Sequence, residues 1–142
     1  RRRVWLAMFT LTADDLCSEL LRSHEKGVDV RLIADGAQTE IKGSDVYRLI
    51  EAGIPGLCSN ASNSWARMHH KFAVIDGVVL TGSFNWTVQA SRANNENLCV
   101  LTDRKMVRAF ASEFDRLWEQ MAEPRTKEGA RKRRHMTPRA SG

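Results

Sequence analysis

Nothing in this sequence of 142 residues writes a metal centre or a disulfide framework. The three cysteines, Cys17, Cys58 and Cys99, are odd in number and far apart, and no C-x-x-C pair occurs. That excludes zinc-ligand spacing and the paired cysteines of a small stapled scaffold. The three read as reduced, partly buried thiols. Apolar runs are short, and none approaches the roughly 20 residues a membrane-spanning helix needs. No tandem repeat at solenoid spacing is present. A charge of one sign is also missing from the body of the chain. Residues 123–142 hold seven Lys/Arg against two Glu, which accounts for the whole formal charge of +5, and residues 1–122 balance fifteen against fifteen. Bulk charge is therefore weak evidence about a substrate.

What remains is the composition of a globular domain, long enough to bury a core. Val4–Phe9 reads as a buried strand. Thr12 is a candidate N-cap for a helix from Ala13 to about Lys26, with Leu16, Leu20 and Leu21 on one face. Gly27 ends that helix before a strand over Val28–Ala34, and a short helix over Ser44–Ala52 stops at Gly53. This strand–helix–strand–helix order predicts an α/β sheet with parallel neighbours. The period then changes. Lys71–Ile75 and Val78–Thr81 form a hairpin around Asp76-Gly77. A short helix follows Asn85, then a strand over Asn97–Leu101. Asp103 is a candidate cap for a last helix over Arg104–Met121, with an apolar stripe of Met106, Phe110, Phe114, Leu117 and Trp118. Residues 1–122 are thus expected to form one domain, and 123–142 a basic, disordered tail. The chain opens at Arg1 directly on its first strand, so an upstream segment, with any targeting peptide or anchor, is expected to precede it.

The chemistry-bearing stretch is Met68–Leu98, MHHKFAVIDGVVLTGSFNWTVQASRANNENL. His69 and Lys71 lie two apart at the start of one strand, and Ser83 and Asn85 two apart at the end of the next, so each pair is expected to share a face. An imidazole, an ammonium, a hydroxyl and an amide gathered in this way suit a phosphodiester. Lysine and asparagine can hold the non-bridging oxygens and the charge that grows on them. A histidine can attack phosphorus and form a covalent intermediate. The leaving oxygen also needs a proton, which a second imidazole can supply near neutral pH. With one motif per chain, a two-fold dimer would bring two copies together.

His69-x-Lys71-x-x-x-x-Asp76 followed by Gly82-Ser83-x-Asn85 resembles the signature of the phospholipase D superfamily. GVDVRLIADGAQTEIKGSDVYRLIEAGIP, MHHKFAVIDG, TGSFNWTVQA, NNENL and FDRLWEQ resemble its mitochondrial cardiolipin hydrolase (Zucchini) group, and more distantly small one-motif bacterial nucleases. The resemblance spans about residues 4–121. It implies a mixed central sheet flanked by helices, with a strand and helix upstream of Arg1. His69 would be the nucleophile, and the same residue of a partner chain the acid and base. Lys71 and Asn85 would grip the phosphate, Ser83 would support the site, and Glu96 would orient the histidine as a third triad member does. Asp76 and Gly82 would be structural, and no metal or other cofactor would be needed. One departure is visible: five residues separate Asp76 from Gly82, where the family usually has six. Such a loss either tightens the hairpin or shifts its register.

The implied function is a metal-independent phosphodiesterase, first an endonuclease on single-stranded RNA or DNA. The alternatives are a cardiolipin-hydrolysing phospholipase D at the mitochondrial outer membrane, and an inactive nucleic-acid- or lipid-binding scaffold. Trp65, in the polar loop before the motif, is a candidate substrate contact, whereas Trp86 is expected in the core. His70 should point away from His69, and His24 and His135 read as solvated. The run Arg131–Arg134 is a candidate contact for RNA or an anionic membrane surface.

Overall fold

The computed structural model describes residues 2–62 and 65–122, so the basic tail and His135 lie outside the described residues. Its centre is a six-stranded mixed sheet of order β3-β2-β1-β4-β5-β6. β1 (Arg3–Met8), β2 (Asp29–Ala34) and β3 (Gly56–Cys58) run parallel. β4 (Lys71–Ile75), β5 (Val78–Gly82) and β6 (Leu98–Leu101) follow by antiparallel pairing, β4 lying against β1. The α/β class and the mixed sheet are as the sequence implies. β3 is the strand missed, because three residues are too few to show a period.

Alternation along the strands divides the core in two. Val4, Leu6, Met8, Val30, Leu32 and Ala73 face α1 (Asp14–Glu25) and α2 (Val46–Glu51). Ile33, Phe72, Val74 and Val79 face α4 (Arg104–Ala122), which buries Val107, Ala111, Phe114 and Leu117. Phe114 is fully buried and stacks between Trp5 and Trp118, with ring centroids 5.3 and 5.7 Å away. Its loss would cost about 3–5 kcal/mol. Trp86 joins the first core, as expected.

Several local expectations are revised. Thr12 does not cap α1. The N-cap falls on Ala13, whose side chain has no acceptor, and the Thr12 and Ala13 N–H groups both donate to the Trp86 carbonyl. Asp14 and Asp15 supply the favourable negative charge in the first turn instead. Met106 is exposed, and Val107 takes its place in the stripe, because the stripe follows the face turned to the sheet. Asp103 does cap α4, accepting from the N–H groups of Lys105 and Met106, each at 3.0 Å. α3 (Val88–Arg92) is capped by the Thr87 hydroxyl. All three cysteines are free, but Cys99 is exposed on the edge strand β6. The hairpin closes through a two-residue turn. Ile75 pairs Val78 directly around Asp76-Gly77, and Asp76 adopts φ 52°.

Candidate active site

Four chain segments converge at one end of the sheet: the exit of β1, the approach to β4, the exit of β5 and the approach to β6. His69 stands just ahead of β4, and its neighbour His70 accepts the Phe9 N–H on its carbonyl at 2.8 Å. That bond extends the β1–β4 ladder past Met8↔Lys71 and lays the Phe9 ring against the His69 imidazole, centroids 4.4 Å apart. Lys71 folds over the same ring, Nζ 4.9 Å from its centre. Nζ also lies 3.4 Å from His69 Nδ1 and 3.5 Å from Nε2, and donates to the His69 carbonyl oxygen at 3.0 Å. Burial pushes the Lys71 pKa below the ordinary lysine value, against the opposing pull of the Glu96 carboxylate. A partly desolvated ammonium beside an imidazole can hold an anion next to a group able to act as a nucleophile.

Ser83 and Asn85 do not share a face in the way strand alternation suggests, because β5 stops at Gly82. Ser83 turns toward β6. Its hydroxyl donates to the Glu96 carboxylate and accepts the Asn97 N–H at 3.0 Å. Asn85 turns toward β1, where Oδ1 accepts the Thr10 N–H at 3.3 Å. Its carboxamide is thereby fixed with the oxygen toward Thr10 and the two N–H donors directed elsewhere. Gly82 makes the β5–β6 junction possible, since a Cβ there would stand 2.1 Å from the Asn97 carbonyl oxygen.

Glu96 departs from the expected triad role. Within one chain it accepts from the Ser83 hydroxyl and from Asn94 Nδ2 at 2.9 Å, and not from the imidazole. The reason is register: Gly82 pairs Leu98, which sets residue 96 opposite the Ser83 exit. The Ser83 bond first, then the Asn94 bond, with a smaller aid from the Lys71 charge, holds the Glu96 pKa below the ordinary carboxylate range.

Asp76 lies at the other end of β4, away from this cluster. Its Oδ1 accepts the N–H groups of Arg2 at 2.8 Å and Arg3 at 3.0 Å, which ties the hairpin turn to the start of β1. His70 points to the opposite side of the sheet from His69, 3.3 Å from Glu113 on α4. Arg116 holds Glu113 below its ordinary pKa through two bonds of 2.7 Å. Trp65 is 97% exposed, four residues before His69. A groove of about 650 Å³ begins at His69 and is lined by Asn60, Arg67, His70, Arg116 and Gln120. Sequence reasoning missed Phe9 and Asn94, which carry no motif signal of their own. Among the described residues, no three His, Cys, Asp or Glu side chains gather as metal ligands would.

The family profile described as cardiolipin synthase, PLD-like domain, matches residues 1–118, which include every residue of this cluster. The chain belongs to the phospholipase D-like family. Relatives within the family include proteins named mitochondrial cardiolipin hydrolase. That of Chlamydomonas reinhardtii is 46% identical over 119 residues, 83% of this chain and 52% of that protein. That of Xenopus tropicalis is 43% identical over 121 residues, 84% of this chain and 56% of that protein. The chain thus spans about half the length of the relatives it matches. Two solved structures share the phospholipase D-like fold, each with a TM-score of 0.76. Nuc of Salmonella typhimurium, a phospholipase D family member, is 26% identical, with 88% of this chain and 83% of that one covered. NucT of Helicobacter pylori is 23% identical, with 84% and 80% covered. Among the described residues of this phospholipase D-like chain, no helix is long and apolar enough to cross a membrane.

Proposed function

We propose that this chain is a metal-independent phosphodiester hydrolase with His69 as nucleophile, working as a homodimer. The observation that carries the reading is the Lys71 ammonium held within 3.5 Å of both His69 ring nitrogens on the Phe9 ring. An imidazole nitrogen attacks phosphorus, the N–P bond forms, and the bond to the leaving oxygen breaks. That oxygen takes a proton from a second imidazole, contributed by another copy of His69. Water then attacks the phosphohistidine, gives its proton to the second imidazole and releases His69. Lys71 and the N–H donors of Asn85 hold the non-bridging oxygens. Ser83 and Glu96 brace each other at the β5–β6 junction.

Apolar surface beside the cluster supports the dimer. Leu98 and Val100 on edge strand β6 are 52% and 62% exposed, and Val88 of α3 is 50% exposed. A second copy is the natural cover for such a patch.

The groove leading from His69 carries Arg67 and Arg116, which favours single-stranded RNA or DNA as substrate. Exposed Trp65 offers a stacking surface at the approach to His69. A second reading, cardiolipin hydrolysis at a mitochondrial membrane, is favoured by the names of the relatives. Cleavage of labelled single-stranded RNA in EDTA, wild type against His69→Asn, tests the first reading. Cleavage abolished by the substitution supports a nuclease. A folded wild-type dimer that leaves RNA intact but releases phosphatidic acid from cardiolipin vesicles selects the second.

A further inference from the structure

One buried carboxylate takes no part in the chemistry above. Asp35, just past the end of β2, is 1% exposed. Four groups of the described residues present donors to it. Oδ2 accepts the Met68 N–H at 3.0 Å and the Ser59 hydroxyl at 3.2 Å. Oδ1 accepts the Ala37 N–H at 3.1 Å and faces the Arg67 guanidinium at 3.6 Å. These partners come from three segments: the turn after β2, the exit of β3 and the approach to His69. The segments are also in close contact, since a Cβ on Gly36 would stand 2.2 Å from the Ser59 carbonyl oxygen. Met68 is the residue that delivers His69, and its side chain is buried in the α4 core. The His69 imidazole itself is exposed, held laterally by Phe9 and Lys71.

We infer that Asp35 is a positioning residue for catalysis, fixing the backbone that presents His69 by gripping the N–H of the preceding residue. The inference rests on the reading of His69 as nucleophile. The physical case is that of a buried charge with hydrogen bonds to both oxygens, which holds its donors in one geometry and is costly to disturb. A residue that aims a nucleophile without touching substrate should act on the chemical step rather than on binding. Asparagine has the same shape but can satisfy donors on one side only, because its amide nitrogen must then face another N–H. Alanine satisfies neither side.

The test measures hydrolysis of bis(p-nitrophenyl) phosphate by the whole chain and by its Asp35→Ala and Asp35→Asn variants. Asp35→Ala is expected to lower kcat about 30-fold with KM changed less than about threefold, and Asp35→Asn to recover part of that loss. A second readout needs no turnover. The His69 imidazole cross-peak in a ¹H–¹³C spectrum, assigned through His69→Asn, should shift in Asp35→Asn while the Trp118 indole signal stays in place. Should Asp35→Ala fail to fold, Asp35→Asn decides on both readouts. Wild-type kcat together with an unmoved His69 signal overturns the proposal. So does a loss of activity that only tracks lowered Tm. If the wild type leaves the probe intact, or hydrolyses it equally well after His69→Asn, the nucleophile reading fails instead. The His69 signal then still reports whether Asp35 holds that backbone.

Discussion

The Phe9 ring lies 4.4 Å from the His69 imidazole and 4.9 Å from the Lys71 ammonium, so one apolar side chain just past β1 aligns the two polar groups at the entry to β4. Phe9 carries no functional group, yet it removes the lateral freedom of both. Phe9→Ala is expected to lower kcat about tenfold through misplacement of His69 and Lys71. Phe9→Leu, which keeps apolar volume without the flat ring, should recover stability more fully than rate. Steady-state kinetics beside thermal unfolding separates the two effects.

Lys71 is expected to be held at a cost to stability. Its pKa is lowered in the fold, chiefly by burial, so the unfolded chain binds that proton more tightly. Stability therefore rises with pH between the folded value and the ordinary 10.5, and the penalty is present in full below the folded value. Lys71→Met should raise Tm at pH 7, with the gain shrinking as pH rises toward 10.5. The same variant should lower kcat/KM by about 100-fold or more, because the phosphate loses its cation. A fall in Tm at pH 7 would contradict this account.

Glu96 carries the opposite sign. Its pKa is depressed by the Ser83 and Asn94 hydrogen bonds, so its contribution to stability is present above the ordinary value of 4.5. That contribution is lost as pH falls below 4.5 through the folded value. The Tm difference between wild type and Glu96→Gln should be largest near neutrality and close toward acid. Ser83→Ala should reproduce much of that difference by removing the principal donor. Equal Tm differences at pH 7 and at the acid end would sink the argument.

Asp76 belongs to the motif by spacing but braces the fold at the far end of β4. Asp76→Ala strains the φ 52° turn and leaves the Arg2 and Arg3 N–H groups without their acceptor. It should cost about 1–3 kcal/mol. Turnover measured well below its Tm should stay within about twofold of wild type, a shift too small for the loss of a catalytic group. Denaturant melts and kinetics on the same preparation check both halves.

Much of this architecture was legible because the relevant signals are local. The short apolar runs VWLAMF and VDVRLIA, the stops at Gly27 and Gly53 and the Asp76-Gly77 turn each depend on a few neighbouring residues. They located β1, α1, β2, α2 and the hairpin within a residue or two. β3 escaped because a three-residue strand is defined by its partner Leu32–Ala34, not by any period of its own. The Thr12 cap failed because the N-cap position falls on Ala13, at a helix entry tied to the Trp86 carbonyl 74 positions beyond Thr12.

For the site, the sequence alone determined which chemical groups are present and in what order: His69, Lys71, Ser83, Asn85 and Glu96. It also determined that Asp76 and Gly82 belong to turns and junctions, since backbone demands of that kind are written in residue type. Only the tertiary structure decided who touches whom. It set Phe9 beneath Lys71, turned Asn85 to Thr10, gave Glu96 to Ser83 rather than to His69, and placed Asp35 behind Met68. Those pairings join segments distant in sequence, Phe9 to Lys71 and Ser83 to Glu96 across neighbouring strands, Asn85 to Thr10 and Asp35 to Met68 across one intervening strand. Sheet order and register fix them, and both come from how two cores pack on opposite faces rather than from any short run of residues.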